Sequence, residues 1–151
     1  MTVGTRLRIA MVCLGIPAIS ELGIGLVYLF AAEAMPYHVQ AMGVSWLELT
    51  PGVRATVRTL LNGYGSTHLA VGVALAVLIL GPLRRGQGWA RWAILAVGLP
   101  VFAGTAVFSS RLAAVTGAHV PWEGAVGLLV LFVIGVALAS PDHPAARSST
   151  P

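Results

Sequence analysis

The chain has 151 residues, of which 57% are apolar and 9% charged, with a mean hydropathy of +0.87. Soluble domains carry about 25% charged residues, and a chain this apolar has too little polar surface to face water. A soluble enzyme and a disordered or collagen-like chain are therefore excluded. The formal net charge is +4, and all nine basic residues are arginine. They lie dispersed between apolar runs instead of gathered on one face or tail, so nucleic acid is not an expected partner. The single cysteine, Cys13, lies within an apolar run, which leaves no CxxC pair or disulfide framework in the chain.

Four apolar segments, residues 9–32, 59–82, 92–110 and 122–140, are long enough at about 1.5 Å per residue to cross about 30 Å of hydrocarbon. Hydrocarbon offers no partner to a free backbone N–H or C=O, so each segment is expected to be helical. The predicted fold is all-α: a polytopic membrane protein forming one four-helix transmembrane bundle over residues 1–140. A polar, proline-rich tail, 141–151, is expected to be disordered.

The first segment, preceded by Arg6 and Arg8 and followed by Ala32, Glu33 and Ala34, imitates a cleavable signal peptide. It exceeds the usual apolar length of about 7–15 residues and contains Glu21, so it is read as a span. Pro17 leaves the carbonyl of Cys13 without its helical partner, and Pro100 does the same for Ala96 in the third span, so a kink is expected in each. Pro17, Glu21 and Gly25 share one face at four-residue spacing. In the connection that follows, Thr50 before Pro51 reads as an N-cap with proline at the first helical position, so the second helix is expected to begin near Pro51. Its first turns carry Arg54 and Arg58, and further along His68 lies on a small-residue face with Gly65 and Gly72, where another helix can approach closely. The short basic turn Leu83-Arg84-Arg85-Gly86 makes the second and third spans antiparallel neighbours.

Counting arginines sets the orientation. Arg6, Arg8, Arg84, Arg85, Arg91 and Arg147 fall on one side, and Arg54, Arg58 and Arg111 on the other. The excess predicts both termini in the cytoplasm, with Trp89 and Trp92 at the inner interface and Trp46 and Trp122 at the outer one. The first and third spans share a pattern 83 positions apart, in which Arg8, Ala10, Gly15 and Pro17 match Arg91, Ala93, Gly98 and Pro100. On that pattern the bundle is expected to consist of two parallel-repeat helical hairpins.

Glu21 falls about 18 Å into the first span and His68 about 21 Å from the far end of the second. The two are thus within about one turn in depth and are expected to form a hydrogen bond or ion pair. Such a pair serves either as an interhelical clasp or as a functional group, the default reading of ionisable residues within a membrane. The other polar residues crowd the outer half, so a cavity is expected to open outward over an apolar floor. Arg54, Arg58, Asn62, Ser66, Arg111 and Glu123 are the candidates for holding the head of an amphiphile whose tail lies between helices. The competing expectation pairs the outer arginines with Glu33, Glu48 and Glu123, in salt bridges worth about 0–1 kcal/mol each. His38 and His119 lack metal-ligand spacing with any partner, so no metal or cofactor is expected.

The turn Pro82-Leu83-Arg84-Arg85-Gly86 with Trp89-Ala90-Arg91-Trp92-Ala93, together with four spans in about 150 residues and Gly-x-Pro in the odd spans, resembles small bacterial four-helix membrane proteins of the DoxX-like and related families of unknown function. The resemblance implies a multi-pass protein of the bacterial inner membrane and carries no site residues with it. A more distant similarity is to four-helix sterol-isomerase-like proteins, which use acidic and histidine residues in a membrane cavity. Only Glu21 and His68 fit that role. Two functions are therefore expected to compete. One is a membrane protein that binds an amphiphile or serves as an accessory subunit, with lipids, an amphiphilic small molecule, and a second copy or another membrane protein as partners. The other is a membrane-embedded isomerase or cyclase with Glu21 as proton donor and His68 as base.

Overall fold

In a computed structural model, which describes residues 3–139, five α-helices follow in order. They are α1 (Val3–Leu29), α2 (Pro36–Met42), α3 (Pro51–Leu78), α4 (Ala90–Thr116) and α5 (Trp122–Leu138). A 3-10 turn (Trp46–Glu48) precedes α3 and a π-helical turn (Ile79–Leu83) extends it. The expected four long helices are α1, α3, α4 and α5, and the fifth, α2, lies in the connection read as a loop. The tail expected to be disordered, 141–151, lies outside the described residues.

The boundaries follow local chemistry. Thr50 is extended and its hydroxyl accepts the Val53 N–H at 3.4 Å, with Pro51 in the first turn of α3, as the Thr-Pro pair predicted. α2 uses the same grammar: Pro36 follows an extended Met35, and Gly43 ends the helix at φ 69°, a left-handed position that favours glycine. At the other end of α3, Pro82 has no N–H to donate and crowds the carbonyl one turn back. The backbone there widens into the π turn.

Among the described residues, three helices are long and apolar enough to cross a membrane: α1, α3 with its π extension, and α4. α5 is apolar along its 17 residues but shorter. Polar residues claim no continuous face on α1, α4 or α5, and large apolar side chains such as Ile19, Val77 and Phe108 stand well exposed. A helix apolar on every side belongs in a protein core or in lipid.

The long helices form a ring in which α1 packs on α3 and α5, and α4 packs on α5 and α3. The α1–α3 seam is the most extensive, and glycine makes it so. A Cβ at Gly25 would meet the Leu69 backbone nitrogen at 2.5 Å, and one at Gly65 would meet the Gly25 carbonyl oxygen at 2.8 Å. The two backbones therefore touch, as small residues allow. At the end carrying the Arg84–Arg85 turn the ring is filled by Leu14, Leu75, Ile79, Leu83, Ile94 and Phe132. Phe132 stacks on Phe102 with ring centres 4.8 Å apart. At that same end Arg6 of α1 donates to the Ala137 carbonyl of α5 at 3.4 Å.

The hairpin partners predicted from the repeat, α1 with α3 and α4 with α5, do pack together. The Gly-x-Pro motif itself does not carry into the packing. Pro17 is buried and Pro100 exposed, and the buried faces match at 84 positions: Ala10 with Ile94, Leu14 with Gly98, Ala18 with Phe102. One residue of offset turns a helix by about 100°, so the motif prolines face different surroundings.

Candidate functional site

The opposite end of the ring is not filled. A cavity of about 900 Å³, open on one side, lies between the last turns of α1, the middle of α3, the second half of α4 and the start of α5. Its walls are mainly aliphatic and aromatic, with Ile24, Leu61, Phe102, Phe108, Leu112 and Leu128 among them. Polar groups enter at few places: Glu21, Tyr28, Tyr37, His38, Tyr64, Thr105 and Ser109. Most of these already have partners within the protein: Ser109 bonds to the Thr105 carbonyl at 2.6 Å, Tyr64 to the Thr105 side chain, and Nδ1 of His38 is the buried polar atom left without one among the described residues.

Glu21 and His68 meet as expected. Nδ1 of His68 and Oε2 of Glu21 share a hydrogen bond of 2.5 Å, and both residues are only 2% exposed. The glycine seam sets this distance, because His68 sits between Gly65 and Gly72 on α3, and Glu21 lies one turn before Gly25 on α1. Glu21 lines the cavity while His68 does not, so the carboxyl group faces the space and the imidazole stands behind it. Of the two residues expected to act as proton donor and base, the structure thus brings Glu21 to the cavity wall and places His68 in contact with it.

Above Glu21 runs a chain of aromatic contacts. His68 packs on Tyr64 with ring centres 4.0 Å apart, Tyr64 meets Tyr28 edge-on at 5.1 Å, and the Tyr28 and Tyr37 hydroxyls are hydrogen-bonded. Tyr37 in turn packs on His38 at 4.2 Å. All three tyrosines of the chain thus converge on one cavity. The helical spacing carried part of this, since Tyr28 continues the Glu21–Gly25 face of α1 and Tyr64 lies one turn before His68.

α2 roofs the cavity. Besides the tyrosine pair, its Gln40 side chain accepts the His119 N–H at 2.9 Å, which ties the roof to the α4–α5 connection. Burial pulls the His38 imidazole below its ordinary value of 6.5, and its Nδ1 is buried without a partner. Burial, with a smaller contribution from Tyr64, pushes the Tyr37 hydroxyl up to about 12. The linkage signs follow. The neutral His38 contributes stability above pH 6.5 that is lost as the pH falls. The neutral Tyr37 contributes stability below pH 10.0 that is lost as the pH rises through its folded value. Amide-exchange protection of residues 36–42 is therefore expected to be highest from about pH 6.5 to 10. In His38→Phe the fall on the acid side is expected to disappear.

The other expected ligand residues are placed elsewhere, and none of Arg54, Arg58, Asn62, Ser66, Arg111 and Glu123 is in the cavity wall. The Asn62 amide donates to the carbonyls of Tyr28 at 2.9 Å, Leu29 at 2.7 Å and Ala31 at 3.3 Å, closing the last turn of α1. α3 runs past that point, which carries Arg54 and Arg58 beyond the end of α1 into a separate recess with Ala32 and Trp46. The Ser66 hydroxyl is spent on the Gly63 carbonyl at 2.8 Å, and Arg111 and Glu123 are exposed. The salt bridges expected with Glu33, Glu48 and Glu123 are absent: among the described residues Arg54, Arg58 and Arg111 form none. Glu48 instead accepts the Ser45 N–H at 3.0 Å in a capping box.

No known protein family, curated protein or solved structure matches this chain.

Proposed function

We propose that this is an integral membrane protein that binds a neutral amphiphile in the cavity beneath α2, with both termini in the cytoplasm. Three membrane-length helices and an exposed apolar girdle support the first part. Arg6, Arg8, Arg84, Arg85 and Arg91 at one end, against Arg54, Arg58 and Arg111 at the other, support the orientation by the positive-inside rule. The bacterial inner membrane, the four-span layout with α5 as the last span, and the resemblance to DoxX-like proteins are part of this proposal.

The observation that carries the ligand reading is the cavity itself. Its volume of about 900 Å³ suits a small-molecule site, and its apolar walls with a few convergent polar groups are the usual composition of one. No arginine lines it, so a hydroxyl or carbonyl head fits better than the anionic head first expected at Arg54 and Arg58. Tyrosine hydroxyls and His38 can hydrogen-bond such a head, while a sterol-like or isoprenoid body contacts Leu61, Phe102 and Leu128.

The test uses farnesol, a neutral isoprenoid alcohol, added to the purified chain in a nonionic detergent. Saturable binding by native mass spectrometry is expected for the wild type. A Cβ at Gly124 would meet nothing within 4 Å, yet Gly124 borders the cavity, so Gly124→Trp is expected to fold and fill the space. Its farnesol affinity should fall at least about tenfold, or about 1.4 kcal/mol. Equal affinity in the two proteins contradicts the assignment.

A second reading is favoured by one observation: a carboxyl group lines the cavity with an imidazole at 2.5 Å behind it. That is the arrangement of a positioned proton donor and acceptor. An isomerase of a neutral amphiphile would use Glu21 at the ligand and His68 to orient it.

A further inference from the structure

The connection from α1 to α3 builds a second recess, of about 330 Å³, lined by Ala32, Trp46, Pro51, Arg54, Ala55 and Arg58. We propose that it binds the phosphate of an anionic membrane lipid. The proposal rests on the membrane reading given above but not on the ligand of the larger cavity.

Two arginines one helical turn apart, Arg54 and Arg58, line the recess. Among the described residues, neither the Arg54 nor the Arg58 side chain makes a hydrogen bond or ion pair. The nearest acid in sequence, Glu48, has a carboxylate oxygen committed to the Ser45 N–H. Two unspent forks of N–H donors match the tetrahedral oxygens of a phosphate better than any neutral group. The positive end of the α3 dipole points the same way.

The surroundings choose a lipid over a free anion. Phe30 and Leu47, close in sequence to Ala32 and Trp46, are 76% and 81% exposed. Within two residues of the recess lining along the chain, they offer apolar surface that acyl chains would cover. Trp46, an amphipathic ring in the recess wall, is the residue type that collects at headgroup level. Anionic-head and tail chemistry thus stand side by side here, whereas the larger cavity has no arginine to hold an anionic head.

The experiment begins with co-flotation of the full chain with neutral phosphatidylcholine vesicles, which tests the membrane reading alone. Thermal unfolding in nonionic detergent is then followed while dioleoyl phosphatidylglycerol, dioleoyl phosphatidylcholine or inorganic phosphate is titrated. Phosphatidylglycerol is expected to stabilise the wild type saturably. Its apparent affinity in Arg54→Gln/Arg58→Gln should be weaker on the order of tenfold or more, with Arg54→Lys/Arg58→Lys in between. Neither arginine has a protein partner, so the variants are expected to unfold as the wild type does without added lipid. Equal phosphatidylglycerol affinity in wild type and Gln variant overturns the site while leaving the membrane reading standing. Full reproduction of the effect by inorganic phosphate overturns the lipid assignment. A chain that does not float with neutral vesicles overturns both readings.

Discussion

His68→Ala should destabilise the protein by about 1–3 kcal/mol, the cost of leaving a buried hydrogen-bonding group without its partner, with the space vacated by the ring adding to it. Glu21 would be left in a wall of aliphatic and aromatic groups without the imidazole that now bonds it at 2.5 Å. Glu21→Gln should cost less, about 1 kcal/mol, because the amide oxygen still accepts from Nδ1–H. The double replacement Glu21→Leu/His68→Leu should be milder than His68→Ala alone, since no polar group is then stranded. Reversible unfolding in mixed micelles measures all three, and a double-mutant cycle of Glu21→Leu, His68→Leu and their combination isolates the coupling between the two side chains. Additive single effects would mean that the contact contributes nothing beyond its two residues.

Gly65→Val should be the most disruptive replacement of a glycine on the α1–α3 seam. A Cβ there meets backbone of Tyr28, Leu29 and Gly25, which cannot turn aside as a side chain can. Overpacking of this kind costs about 1–3 kcal/mol, and a branched side chain against backbone belongs at the upper end. The change would also pull His68, three residues on, away from Glu21. Gly124→Ala has open space around the new methyl group and is the matched control, expected to be neutral or slightly stabilising through helix propensity. Unfolding midpoints of the two variants decide the point.

Those effects trace back to features legible in the sequence. Glu21 and His68 were placed at one depth by counting residues along two helices adjacent in sequence. The glycines flanking His68 marked the face on which α1 would approach. The start of α3 was equally plain, because Thr50 and Pro51 state it within two residues. Helix α2 is hard to read in the sequence, although Pro36 and Gly43 carry the same start and stop grammar. Seven residues are too few to show an apolar period, and α2 owes its place to tertiary contacts such as the Tyr28–Tyr37 and Gln40–His119 bonds.

Assigning the ligand head to the arginines failed as a route to the cavity for a geometric reason. Charge patterning locates Arg54 and Arg58 along α3 but not where α1 stops. Asn62, bonded to three carbonyls at that terminus, places both arginines beyond it. The tyrosine cluster is not legible in the sequence for the opposite reason. Tyr28 and Tyr37 lie on separate elements and become neighbours only when α2 folds back over the bundle.

The central claim is that acyl chains surround this bundle while a ligand space penetrates it from the α2 end. Single-cysteine labelling with a small, water-soluble thiol reagent tests both halves in one measurement, using Cys13→Ala as the background and protein reconstituted in a bilayer. Ser109→Cys, in the cavity wall, is expected to react and to be protected by farnesol. Val77→Cys, 63% exposed in the isolated chain, is expected to stay unreactive because lipid covers it. Rapid labelling at Val77→Cys, or labelling at Ser109→Cys that farnesol leaves unchanged, would contradict the account.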